Sequence, residues 1–185
     1  MTLRWRVDDG PMKKKPSSAA RIARDDQVLV DAARVARERA HAPWSRFKVG
    51  AAARFGDEIV HGCNIEFDVY GLTNCAERTA VFAAFANGAA RKPMTAMAVI
   101  ADTPEPVSPC GACRQVMFEC GGADLRVILA NTRGDARVVR MADLLPGGFQ
   151  LETQIPTPPV TTAPARKSAL RKPTRSRRGK RKSVE

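Results

Sequence analysis

The chain has 185 residues, room for one domain of roughly 100–200 residues with extensions. Its net charge of +12 is unevenly spread: residues 153–185 hold ten of the 31 Lys/Arg and one of the 19 Asp/Glu, leaving 21 bases against 18 acids elsewhere. An apolar content of 44% suits a globular core, and no apolar run approaches the ~20 residues of a helical membrane span.

Residues 1–23 read as an irregular basic leader, with Lys13-Lys14-Lys15-Pro16-Ser17-Ser18 as a breaker-rich segment. Its charges have no apolar stretch behind them, so it lacks the pattern of a secretory signal, and Met12 is a second candidate start. A first helix is expected from about Asp25 to Ala40. Asp25 and Asp26 suit the positive end of its dipole, and Val28, Leu29, Ala32, Val35 and Ala36 supply a 3.6-residue apolar rhythm. His41-Ala42-Pro43 ends it. Phe47–Arg54 and Glu58–Asn64 read as paired strands about a turn at Phe55-Gly56-Asp57.

A second helix, apolar almost all round and so buried, begins near Asn74 and stops at Asn87-Gly88. Thr95–Ala101 is a strand, and Ser108-Pro109 opens a third helix that ends at Gly121-Gly122. Strands at Leu125–Ala130 and Arg137–Arg140 and a helical turn at Met141–Leu145 complete a domain spanning residues 24–152. This order implies a mixed sheet with helices on its faces. From Thr153 the chain turns to Pro, Thr, Ser and basic residues with almost no large apolar side chain, the composition of a disordered tail.

Two short motifs carry the chemistry. Cys75-Ala76-Glu77-Arg78 and Pro109-Cys110-Gly111-Ala112-Cys113, with 34 residues between Cys75 and Cys110, together offer three thiols and a carboxylate. Three thiolates bind zinc and leave a fourth position open, the arrangement of a hydrolytic rather than a closed structural site. Cysteines at the N-termini of two helices are also disposed to ionise, because unpaired N–H groups and the dipole favour thiolate. A structural zinc knuckle would require a fourth ligand, from Cys63, Cys120 or His61; a redox pair would need only Cys110 and Cys113. Glu77 has a structural alternative too. If Asn74 caps the helix, Glu77 occupies the N3 position of a capping box.

Reading Arg46-Phe47-Lys48-Val49-Gly50-Ala51-Ala52, Gly62-Cys63-Asn64-Ile65-Glu66, Tyr70-Gly71-Leu72-Thr73 and Cys75-Ala76-Glu77-Arg78-Thr79-Ala80, the chain resembles the cytidine deaminase family, in its short, all-cysteine, homotetrameric branch. Leu144-Leu145-Pro146 with Phe149 is similar to that branch's C-terminal signature, and the resemblance runs from about Asp25 to Leu151.

It implies an α/β fold: a three-layer α/β/α sandwich with a mixed five-stranded sheet. It also implies one zinc per chain on Cys75, Cys110 and Cys113, with Glu77 as general base and then general acid. Arg78 would donate to the ligand sulfurs and offset their charge. Asn64 and Glu66 would hold the sugar hydroxyls, Phe47 would pack beside the nucleoside, and the Ala76 amide would read the base. Tyr70 and Phe149 would reach a neighbouring subunit's pocket.

The departure is Phe67-Asp68-Val69, where the family carries Asn-Ala and another small residue. Asp68 would then face the sugar end of the pocket and shift substrate preference, so a modified cytosine nucleoside of the blasticidin type is a rival substrate. A rival of another class is a nucleic-acid-binding protein that acts through the basic tail and keeps zinc only for structure. A third joins the two, a deaminase editing polynucleotides, against which the sugar-binding pair Asn64 and Glu66 argues. Five cysteines, three committed to metal, suit a reducing cytoplasm. The tail allows non-specific, salt-sensitive nucleic-acid contact.

Overall fold

A computed structural model describes residues 22–150; the expected tail, residues 151–152 of the expected domain, and the expected leader apart from Ile22 and Ala23 lie outside the described residues. Helix α1 (Arg24–Arg37) is followed by strands β1 (Val49–Phe55) and β2 (Glu58–Cys63), then helix α2 (Ala76–Asn87) and strand β3 (Met94–Ala101). Helix α3 (Gly111–Gly121), strands β4 (Arg126–Asn131) and β5 (Ala136–Arg140), and the short helix α4 (Met141–Leu144) complete the order. Short 3₁₀ turns lie at Tyr70–Leu72 and Ala89–Arg91.

The strands form one sheet in the order β2-β1-β3-β4-β5. Pairing is antiparallel throughout except between β3 and β4, which run parallel and are joined by a crossover through α3. The expected three-layer sandwich with a mixed five-stranded sheet is what the chain forms. Leu29, Val30 and Ala33 of α1 pack with Ala52, Ala98, Ile100, Ile128 and Ala130 on one face. On the other, Val81 and Ala84 of α2 and Met117 of α3 pack with Ala51, Ala53, Met97, Val99, Val127 and Leu129. Alternate residues of each strand thus serve opposite layers. In the central strand β3 every residue but Thr95 is buried.

Three helix boundaries differ from the sequence expectation, and β1 starts at Val49 rather than Phe47. α1 stops at Arg37, because the chain must turn there to bring His41 beside Ile65 in an isolated bridge. Its buried face is Leu29, Val30, Ala33 and Ala36, while Val28 and Val35 are exposed. α2 is capped by Cys75 rather than Asn74, and α3 by Cys110 rather than Ser108. The stop at Asn87-Gly88 is as expected, with Gly88 at φ +88°, a left-handed conformation open to glycine at little cost.

Candidate metal centre and active site

Both cysteine motifs lie at helix starts on the same side of the sheet. Asn74 is fixed by a reciprocal pair of main-chain bonds with Ile65, each 2.9 Å, which ties the entry of α2 to the end of β2. Its side chain donates to the Thr79 hydroxyl at 3.1 Å instead of capping. Because Cys75 is the cap, Glu77 is the second helical residue, and the Asn74 N–H that a capping box would use is already given to Ile65. Capping does not explain Glu77. Gly62 on β2 lets the helix approach: a Cβ there would stand 2.5 Å from the Ala80 nitrogen and 2.8 Å from the Ala76 carbonyl oxygen.

The three thiols converge. The Sγ atoms of Cys75, Cys110 and Cys113 lie within 4.8 Å of one another, and Cys75 and Cys110 are 3.9 Å apart. Tetrahedral zinc with Zn–S bonds near 2.3 Å requires sulfurs about 3.8 Å apart, so the donor set fits that ion. Among the described residues no fourth ligand atom joins the cluster. His61 instead meets the Arg39 guanidinium at 3.4 Å, and Cys120 lines a separate cavity with Phe55, Phe82 and Phe85. The structural-knuckle alternative therefore lacks its ligand, and the third sulfur goes beyond a redox pair.

The electrostatics follow from this crowding. The Cys75 thiol is drawn down to about 5, first by the Cys113 hydrogen bond and then by Arg78. Cys113 is pushed up, since it donates to Cys75 and is buried beside negative groups. Arg78 places one Nη2 3.7 Å from Cys75 Sγ and 3.3 Å from the Thr73 carbonyl, and its Nε is buried with no partner. Its guanidinium holds its proton more tightly than usual because of the same sulfurs. Glu77 is only 4% exposed, and burial raises its carboxyl above the ordinary range while its side chain contacts Cys113.

Asn64 and Glu66 are both buried at the end of β2 and both turn toward the 41–49 loop. Asn64 donates to the Phe47 carbonyl and accepts from the Val49 N–H, each at 2.8 Å. Glu66 accepts from the Trp44 and Ser45 N–H groups at 3.1 and 3.2 Å and from the Ser45 hydroxyl. Each keeps unused capacity, one N–H and spare lone pairs on Asn64 and lone pairs on Glu66. Ala76 is fully buried in the first turn of α2, where an amide has no intrahelical acceptor.

The rings of Phe47 (43% exposed), Tyr70 (79%) and Phe149 (56%) face outward. Phe67, Asp68, Val69 and Leu72 are exposed beside Tyr70. Phe149 is nonetheless held by its main chain, which exchanges hydrogen bonds with the Gln115 side chain of α3 at 2.7 and 3.3 Å. The structure therefore brings together the three cysteines, Glu77 and Arg78, places Asn64 on the Phe47 carbonyl and Glu66 on Trp44 and Ser45, and leaves Asp68, Tyr70 and Phe149 on the surface.

A family model for the cytidine and deoxycytidylate deaminase zinc-binding region matches residues 23–130, more than half of the chain. The chain belongs to this family. A cytidine deaminase of Halalkalibacterium halodurans is 52% identical over 129 residues, covering 69% of this chain and 96% of that one. One from Mycobacterium tuberculosis is 42% identical over 114 residues, covering 61% and 80%. A crystal structure of cytidine deaminase from Burkholderia pseudomallei superposes with a TM-score of 0.63 at 52% identity, covering 66% of this chain and 98% of that one.

Within the deaminase fold, two contributors to the site escaped sequence reasoning. Arg114 donates to Ser108 Oγ (3.0 Å), Pro109 O (2.8 Å) and Leu144 O (2.8 Å), bracing the segment that enters Cys110. A base in the first turn of a helix opposes the dipole, and that misfit was a usable signal. Ser45 gave none; its role depends on a residue 21 positions away.

Proposed function

We propose that the chain performs the zinc-dependent hydrolysis of cytidine and deoxycytidine to uridine and deoxyuridine, releasing ammonia, with Glu77 as its proton carrier. The observation that supports this most directly is a buried carboxylate contacting a cluster of three, and only three, thiols among the described residues. Held by Cys75, Cys110 and Cys113, zinc supplies an open coordination position and lowers the pKa of a water molecule toward ~7.

Glu77 takes a proton from the attacking water and gives it to the ring nitrogen as the new C–O bond forms. It then takes the remaining proton from that newly bound oxygen and delivers it to the amine; the oxygen becomes the ring carbonyl as the C–N bond breaks, and ammonia leaves. Burial suits Glu77 to both steps, because a raised pKa makes it a stronger base and brings it nearer neutrality as an acid. Arg78 offsets charge on the sulfurs, which would otherwise leave three thiolates and zinc at a net −1. Ala76 presents its amide to the base, and Asn64 and Glu66 turn their spare hydrogen-bonding capacity to the sugar.

Zinc content and turnover of Glu77→Gln test the assignment. It should keep the metal and the fold while losing at least about a hundredfold in kcat, the usual scale of general acid–base catalysis. Retained turnover would remove Glu77 from the mechanism, and lost zinc would make it a ligand.

The finer reading is a homotetramer in which Tyr70 and Phe149 complete a neighbour's pocket, working in pyrimidine salvage in the cytoplasm. Exposure of Phe67, Val69, Tyr70, Leu72 and Phe149 on one chain supports an assembly that covers them. Asp68 at the pocket rim would repel a 5′-phosphate, so Asp68→Ala should relax discrimination against cytidine monophosphate. Tail-mediated nucleic-acid contact would be an accessory property, lost on truncation after Glu152 with turnover unchanged. Sedimentation, localisation and salt-dependent binding measurements test these readings separately.

A further inference from the structure

The 41–49 loop contains a chain of hydrogen bonds that runs from a buried carboxylate to the main chain of Phe47. Glu66 receives the Ser45 hydroxyl on Oε1 and two N–H groups of the loop on Oε2. The same Ser45 oxygen accepts the Phe47 N–H at 3.0 Å. On the other side of the residue, the Phe47 carbonyl accepts from Asn64 at 2.8 Å. Both polar main-chain groups of Phe47 are therefore held by side chains, and both holders trace back to one strand end, residues 64–66.

This arrangement bears on position because packing cannot supply it. The Phe47 ring is 43% exposed, so few contacts fix it from within the fold. Arg46, immediately before it, sits at φ +56°, a left-handed conformation seldom adopted by a residue with a long side chain. Such a turn persists only where the surroundings hold it. Glu66 remains ionised for this purpose, its carboxyl held below the usual range first by the Ser45 hydroxyl.

We infer that Ser45 is a positioning residue for the nucleoside: its hydroxyl transmits the fixed placement of Glu66 to the Phe47 main chain and so sets where the ring stands before substrate arrives. A wall in place beforehand loses less freedom on binding, and the benefit falls on affinity rather than on the chemical step. The inference rests on the reading of Phe47 as a wall of the nucleoside site.

Steady-state kinetics of the full-length, zinc-loaded protein test it. Ser45→Ala should raise the KM for cytidine about fivefold, the weight of one lost hydrogen bond, with kcat changed less than about twofold. Ser45→Thr, which keeps the hydroxyl, should restore KM, and Ser45→Cys, a weak donor of similar size, should fall between them. In a Phe47→Ala background, Ser45→Ala should add almost nothing, because the two act through one ring. A Ser45→Ala protein with lowered Tm and unchanged KM would overturn the inference, as would additive effects of the two substitutions. Phe47→Ala with wild-type KM would overturn the placement of Phe47 itself, and this inference with it.

Discussion

Arg114 spans three acceptors on two segments, so its loss frees the approach to Cys110 without opening the core. Groups that orient metal ligands commonly carry ten- to a hundredfold in metal affinity. Arg114→Ala should therefore weaken zinc binding by about tenfold in a chelator-competition titration, with a comparatively small drop in Tm; unchanged affinity would mean that the loop holds itself. Glu66 gives a pH prediction with a definite sign. Its folded-state pKa is depressed, chiefly by the Ser45 hydroxyl, so its stabilising bonds exist above the ordinary carboxylate range and disappear as pH falls through the lowered value. The Tm difference between the wild type and Glu66→Gln should stay constant from neutral pH into mild acid and close only below that range. Calorimetry across a pH series checks it, and closure at higher pH would reverse the assigned shift.

Helix α2 lies so close to β2 that one added methyl group at position 62 meets main-chain atoms of Ala76 and Ala80. Backbone cannot yield as a flexible side chain can, so Gly62→Ala should displace the first turn, which carries Cys75 and Glu77. A cost of about 1–3 kcal/mol in stability, typical of overpacking, should accompany a larger fractional loss of zinc and turnover. Thermal unfolding and metal analysis of the same preparation separate the two effects. Element by element, what could be read from the sequence depended on how local the determining contact was. Cysteine spacing and the Gly88 stop are local, and the structure repeats them. The buried side of α1 was not local: its alanines allow two overlapping apolar stripes, and only the sheet selects Val30 and Ala33 over Val28 and Val35. Asp26 taught the same lesson. Expected to serve the helix dipole, it is instead buried and receives the Arg126 guanidinium at 2.6 and 2.5 Å from 100 residues away. The cap of α2 was missed because Asn74, a good capping residue, has its side chain engaged by Thr79.

Among the described residues the core is built from both faces of the sheet and does not include the sulfur cluster as a support, apart from buried Cys113. Removing zinc should accordingly lower stability without abolishing the fold. Metal at a thousand times its Kd adds about 4 kcal/mol through mass action, so the chelated protein should melt cooperatively at a lower temperature. Loss of a cooperative transition on chelation would show that the centre is part of the core after all. The crossover that carries α3 between the parallel strands β3 and β4 has a further consequence, in time rather than in space. Cys75 and the Cys110/Cys113 pair flank β3 in the chain, and β3 pairs with β1 and β4, strands that lie far from it in sequence. Such pairings form slowly, and nothing nearer in sequence can assemble the three sulfurs earlier. Zinc should therefore arrive last, leaving the refolding rate the same with or without metal and slowing only the rate at which the finished protein comes apart.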